Sequence, residues 1–389
     1  MPKDPQTGDG PDLVAGRATP AGTRAFAARQ STSPDHFSRP DELTLASIGL
    51  GTLRGAPGGV DDLLYRSALA ECLERGGNVV DTALSDRWQT SERAVGRALR
   101  RALRERRAAR EEIVVVTKGG ALTPDGERVR DRAAAQRDLR ASYIETGLLD
   151  YDDIHHGFAM TGRFLLDQIE RSRRNLGLAT IDYYLLQEPE VHLRAIGIDA
   201  FRKALREAFE AMELAVARGW IAAYGIASWD GFLVPDGDRG HLSIVDFFET
   251  ALDVGSADHH FRALQLPYGL AMGEAAVLPT QLGPDGRRLP LLACLEATGT
   301  AFLASAPLYG GRLLGRVPAF VRAAFPEAPS DAATALQFAR STRGVHCVVV
   351  GMREATHVAE NLGLATVARA RPERPAALFA RAERDSSSD

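Results

Sequence analysis

Lysine is the first residue here whose rarity suggests chemistry. Of the 47 Lys and Arg residues, Lys occurs only at Lys3, Lys118 and Lys203, so almost every ordinary surface cation is Arg. Lys118 closes the apolar run Val114-Val115-Val116-Thr117-Lys118-Gly119-Gly120, where a lone ammonium is costly unless a carboxylate pairs with it. The matching acid is Asp81, at the end of Val79-Val80-Asp81-Thr82-Ala83. Such a pair is either a structural ion pair or part of a reaction centre, and both readings stand at this point.

Other candidate groups point away from metals and nucleic acids. His155-His156 and His259-His260 lack Cys partners and the i, i+4 helical spacing of a zinc site. Cys72, Cys294 and Cys347 each sit inside an apolar run, which fits buried thiols better than disulfides or a metal and implies an intracellular, cytoplasmic chain. The Arg-rich stretch Arg97 to Arg110 carries Ala98, Leu99, Ala102 and Leu103 on one face, as a solvated amphipathic helix does. A formal charge of -4 argues against a general nucleic-acid binder and favours a small, roughly neutral substrate. No run approaches the roughly 20 apolar residues that a membrane helix needs.

Positioning Asp81 and Lys118 on adjacent elements requires a particular scaffold. Between residues 41 and 370, short β-branched runs alternate with long amphipathic segments in eight pairs, the pattern of parallel strands joined by crossover helices. The spacing predicts strands over 45–50, 78–82, 113–117, 181–186, 222–227, 263–266, 301–304 and 345–350. The helices between them centre near 68, 99, 169, 209, 247, 294, 336 and 359. Ser91-Glu92 and Ser330-Asp331 supply helix-start chemistry. Eight pairs predict a closed (β/α)8 barrel in a single domain. Residues 1–40, rich in Pro, Gly, Ser, Thr and Asp, are expected to form a disordered tail, and residues 371–389 a frayed one in which Ala376 to Ala382 could be helical. The long connections 119–160 and 268–290 leave strand ends where barrel active sites lie, so they are expected to shape a pocket unless they merely decorate the scaffold.

The ordered series Ile48-Gly49-Leu50-Gly51-Thr52, Gly77-Asn78-Val79-Val80-Asp81-Thr82-Ala83, Ser91-Glu92-Arg93-Ala94-Val95-Gly96 and Thr117-Lys118 resembles the aldo/keto reductases. The likeness continues through Ile181 to Leu186, Tyr224 to Ser228, Pro307-Leu308 and Gly351 to Asn361, spanning about residues 45 to 366. It implies a barrel that moves a hydride between NADPH or NADH and a carbonyl, using a Tyr proton donor tuned by an Asp, a Lys and a His. Asp81 and Lys118 match two of those four positions, whereas the Tyr position is Asp86 and the His position is Gln187. Free Tyr and Asp differ in proton affinity by roughly 8 kcal/mol, and beside Lys118 an Asp is expected to ionise more readily still. Gln187 can donate a hydrogen bond to a substrate oxygen but carries no proton in turnover. Substitute donors within reach of the mouth are Tyr268, Tyr309 and the His155-His156 pair.

For the cofactor, the resemblance assigns Ser228 and Gln265 to the nicotinamide carboxamide, although Trp229 stands where the family usually has Asn and Ser305 where an aromatic usually stacks. Thr52, Leu308 and Gly351 would also touch the dinucleotide. Arg353 and His357 would meet a 2'-phosphate beside a helix N-terminus, with Glu360 and Asn361 at the adenine, so that NADP is mildly favoured over NAD despite Glu354. Three functions follow: an NAD(P)-linked oxidoreductase acting on a small metabolite, a non-redox lyase or isomerase using Asp86 as a base, or a nucleotide-binding regulator without turnover.

Overall fold

A computed structural model describes residues 13–386 apart from 58, 284 and 297. Eight parallel strands close into a barrel in chain order: β1 (Ile48–Gly51), β2 (Val79–Asp81), β3 (Val114–Gly119), β4 (Ile181–Gln187), β5 (Ile221–Ala227), β6 (Phe261–Pro267), β7 (Ala301–Ser305) and β8 (Cys347–Gly351). Helices α1 (Val60–Glu74), α2 (Thr90–Arg104), α3 (Gly162–Leu176), α4 (Ile198–Ala217), α5 (Ile244–Gly255), α6 (Leu291–Leu295), α7 (Asp331–Ser341) and α8 (Ala355–Leu362) surround it. Each predicted strand and helix is present at its expected place. The chain is a (β/α)8 barrel.

Alternation along the strands divides the apolar side chains into two layers. Val79, Val114, Val116, Tyr183, Leu185, Ala263 and Leu303 pack inside the barrel, whereas Val80, Ile113, Val115, Tyr184 and Leu186 face the helices. The same alternation turns Asp81, Lys118, Gln187 and Gln265 inward at the strand ends.

The terminal segments correct the sequence reading. Residues 13–40 are folded, while the rest of the expected tail, residues 1–12, lies outside the described residues. Thr19 caps the helix Pro20–Ala28 by accepting from the Gly22 N–H at 3.0 Å, and Pro20 opens it. Phe26 of that helix is fully buried, and the Ala18 N–H donates to Asp182 at 2.6 Å under the barrel floor. A Thr-Pro helix start and one buried Phe suffice to order a stretch whose overall composition suggests disorder. At the other end, Glu373–Ser386 is helical, and Phe379 packs edge-on against Phe338 of α7 at 5.5 Å instead of fraying.

The helix-start readings divide. Ser330 accepts from the Ala333 N–H at 3.2 Å and caps α7 as expected. In contrast, α2 starts from Gln89, whose φ of 70° ends a run of three non-glycine residues with positive φ, Arg87, Trp88 and Gln89. Ser91 and Glu92 instead turn into the protein.

Candidate active site

The last inward-facing residue of every strand lines one cavity of about 830 Å3 at the C-terminal mouth of the barrel. β2, β3, β4 and β6 end on the polar Asp81, Lys118, Gln187 and Gln265. β1, β5, β7 and β8 end on Gly51, Ala227, Ser305 and Gly351. Small side chains on three adjacent strands, β7, β8 and β1, leave room for the cavity to run outward toward α8.

Asp81 and Lys118 form a buried pair, with the Lys118 ammonium donating to both carboxylate oxygens at 2.7 and 2.9 Å. Its third bond goes to the Thr82 carbonyl at 2.8 Å, so all three N–H groups are satisfied within the protein. The Gln265 amide donates to Asp81 at 2.9 Å from across the barrel. Below them, Ser91 donates to the Thr52 carbonyl at 3.0 Å, and Glu92 accepts from Thr117 at 2.7 Å and Asn175 at 2.9 Å. These contacts brace the ends of β1, β2 and β3, the role that replaces the expected helix cap.

Asp86 is 7% exposed and lines the cavity, and its carboxyl has no hydrogen-bond partner among the described residues. Burial pushes it up to about 7; the neighbouring Lys118 charge opposes that rise without cancelling it, and Asp81 and Glu92 add to it. Lys118 thus acts in the expected direction, but the net shift is upward because desolvation of the carboxylate outweighs attraction to an ammonium already paired with Asp81. Gln187 accepts from Ser85 at 3.3 Å and hydrogen-bonds the Glu188 carboxyl through the rest of its amide.

None of the substitute donors reaches the cavity wall. The hydroxyl of Tyr268 is buried and donates to Thr342 at 2.9 Å. Tyr309 turns outward under the Arg312 guanidinium at 5.3 Å, and His155 packs edge-on against His192 at 5.2 Å. Nor do the described residues of the two long connections line the cavity. Residues 119–160 fold back on themselves through the Ala121–Phe158 bridge and dock the buried Tyr143 against Phe164 of α3. In the other, Gln281 ties down the Phe232 and Leu242 carbonyls. Both are scaffold, and the open wall comes from the β7–α7 connection instead.

At the outer end, Thr52, Leu308, His357, Glu360 and Asn361 line the cavity beside Gly351. Asn361 is 5% exposed, and its side-chain oxygen is buried without a partner among the described residues, which leaves an acceptor ready for an N–H donor. Glu360 accepts from Ser330 at 2.8 Å. Arg353 departs from expectation: it donates to Asp61 of α1 at 2.9 Å and is absent from the cavity wall. Ser228 lines the cavity, but its hydroxyl accepts from the Gly231 N–H at 3.1 Å. Among the wall residues that escaped the sequence reading are the charged Arg54 and Glu188. The signal was available, since Glu188 directly follows β4 and Arg54 lies three residues beyond β1, both at strand ends already assigned to the mouth.

A sequence model of the aldo/keto reductase family matches residues 47–232. Over that span, a little under half of the chain, the sequence is similar to the aldo/keto reductase family. No curated protein sequence matches it significantly. Solved aldo/keto reductases share its fold at low identity. A glycerol dehydrogenase of Gluconobacter oxydans superposes with a TM-score of 0.61 at 18% identity, over 89% of this chain and 95% of its own. An aldo-keto reductase of Klebsiella pneumoniae, solved with NADPH, does so at 0.55 and 21%, over 87% and 92%. A holo-form aldo-keto reductase of Bacillus halodurans gives 0.55 and 19%, over 86% and 91%. Asp81, Lys118, Asp86 and Gln187 all line the one mouth cavity.

Proposed function

We propose that this chain is a nicotinamide-dependent oxidoreductase of the aldo/keto reductase type that interconverts a small carbonyl compound and its alcohol, with Asp86 carrying the proton. One observation carries the reading: a single cavity joins Asp86 and Lys118 to the buried, unpartnered Asn361 oxygen beside α8. A nicotinamide dinucleotide fits that donor set. Asn361 and Glu360 would hold the adenine, and His357 with the α8 N-terminus the phosphates. Ser228, Gln265, Thr52 and Leu308 would hold the nicotinamide half. When bound, the dinucleotide supplies or accepts the hydride.

The chain's own residues then manage the proton and the charge. With its carboxyl raised to about 7, Asp86 is largely neutral in mildly acidic solution and donates to the oxygen of a carbonyl as negative charge develops there. That burial recovers about half of the proton affinity lost on replacing Tyr by Asp. In the oxidative direction its carboxylate accepts the hydroxyl proton. Lys118, its three N–H groups already held by Asp81 and Thr82, adds a through-space field at the oxyanion rather than a hydrogen bond. Arg353 serves NADP only by leaving Asp61, so the preference for NADP over NAD is slight.

A second reading, acid–base chemistry at Asp86 without hydride transfer, draws on Ser228 and Gln265 having partners already within the protein. Titration of the purified protein with NADPH, NADP, NADH and NAD, followed by aldehyde reduction assays, separates the two. Micromolar binding with reduction that Asp86→Asn abolishes is expected. A folded protein that binds no dinucleotide would overturn the redox reading and leave the second.

A further inference from the structure

On the β8–β1 side the wall of the mouth cavity carries Arg54, His357 and Glu360. The Arg54 side chain runs past Gly351 and Gly310 and has no carboxylate partner among the described residues. The opposite wall is built by β4 and β5, which lie side by side with Gln187 in register with Ala227. The residues that follow place Glu188 and Trp229 there together. The Glu188 N–H donates to the Ala227 carbonyl at 2.7 Å, two residues before Trp229.

Among the described residues nothing neutralises this wall. Glu188 has no cationic partner among the described residues; its carboxyl meets only the Gln187 amide. Glu190, 1% exposed behind it, spends one oxygen on the Trp229 N–H at 2.7 Å and leaves the other buried and unpartnered. Asp230 is paired with Arg194 at 2.9 Å, and Lys118 with Asp81. Burial and the neighbouring Glu190 raise the Glu188 carboxyl, as expected of an acid held where its anion lacks a counter-charge. Its backbone adopts a left-handed conformation, φ 48°, an uncommon one for a non-glycine residue that aims the side chain from the strand end. The Trp229 indole, 56% exposed, stands beside it with no ring or cation contact among the described residues. Asp86, buried and without a hydrogen bond, lines the same cavity.

We propose that this wall takes an organic cation: the substrate carries a substituted ammonium group, held between the Glu188 carboxylate and the Trp229 ring, while its carbonyl or hydroxyl oxygen reaches Asp86. Trp is the best aromatic partner for a cation, and a carboxylate beside it supplies the charge that a neutral ligand leaves unmet. The net charge of the whole chain says nothing of this local field. The position of the substrate oxygen rests on the oxidoreductase reading; the cation site does not.

The test uses choline, its uncharged isostere 3,3-dimethylbutanol, and sorbitol, each titrated into the protein without dinucleotide and followed by calorimetry and tryptophan fluorescence. Choline is expected to bind at least about tenfold more tightly than the isostere, a ratio that falls toward one in Glu188→Gln. Trp229→Leu, at an exposed position that folding does not need, is expected to weaken choline severalfold. Equal binding of choline and isostere, no binding of choline, or tighter binding of sorbitol would overturn the proposal, the last in favour of a neutral polyol. With NADPH, betaine aldehyde should be reduced with a kcat/KM at least about tenfold above that of 3,3-dimethylbutanal. Equal rates would sink the cation site and leave the redox reading intact; choline binding without any reduction would do the reverse.

Discussion

At the scale of single residues, the chemistry turns on a carboxyl whose acidity is set by burial. Asp86 is raised to about 7, above the ordinary Asp value, so in the native state it holds a proton that the unfolded chain releases near pH 4. Between those values the folded form binds more protons, so stability falls as pH rises, by up to about 1.4 kcal/mol per pH unit from this group. Chemical denaturation of Asp86→Asn against the parent, at several pH values, should show the variant gaining relative stability from pH 4 to 7. The catalytic counterpart has the same origin. Reduction needs neutral Asp86 and should decline as pH climbs past about 7, whereas oxidation should rise through that range. Asp86→Tyr with Gln187→His should raise the reduction of a generic aldehyde and move the declining limb toward the Tyr range near 10. No gain in that variant, with the dinucleotide still bound, would mean that Asp86 does not occupy the donor position.

At the scale of elements, the strands were readable because alternation is a property of sequence itself: Val114 and Val116 pack inward, Val115 outward, and Lys118 inherits the inward phase. What could not be read was which charged groups would already be spent on one another. Arg353 looked like a phosphate ligand from its place before α8, yet α1 brings Asp61 against it from a segment nearly three hundred residues away in sequence, with the two side chains 2.9 Å apart. Asp61 also accepts from the Ala56 N–H at 2.7 Å and so ties the β1–α1 connection to α8. Asp61→Asn keeps an acceptor for Ala56 but removes the charge that holds Arg353. Titrations with NADPH and NADH should then show the preference for NADPH rising by about threefold to tenfold, and an unchanged ratio would remove Arg353 from the phosphate site. The same limit explains Ser91-Glu92. Their types suit a helix cap, but only the packed barrel shows that α2 starts from a left-handed turn and sends both side chains toward β1 and β3.

At the scale of the whole molecule, the barrel separates a floor devoted to stability from a mouth devoted to binding. The N-terminal segment closes the floor. Ala18 and Leu45 pack against the barrel interior, and Asp182 collects the Ala18 N–H at 2.6 Å, the Val115 N–H at 2.7 Å and the Arg110 guanidinium at 2.9 Å. Phe26 sits fully buried, flanked by Phe37 at 6.3 Å with the Arg29 guanidinium 4.8 Å over its ring. Deleting residues 1–30 removes one of three partners from a buried carboxylate and empties the Phe26 site, a loss on the order of 3–5 kcal/mol from the aromatic alone. Because no described residue before Gly51 touches the mouth cavity, the truncated chain that remains folded should bind NADPH within about twofold of the parent while melting at a distinctly lower temperature. A large loss of NADPH affinity alongside an unchanged melting temperature would show instead that floor and mouth are coupled, and would make the N-terminal segment part of the binding machinery rather than its foundation.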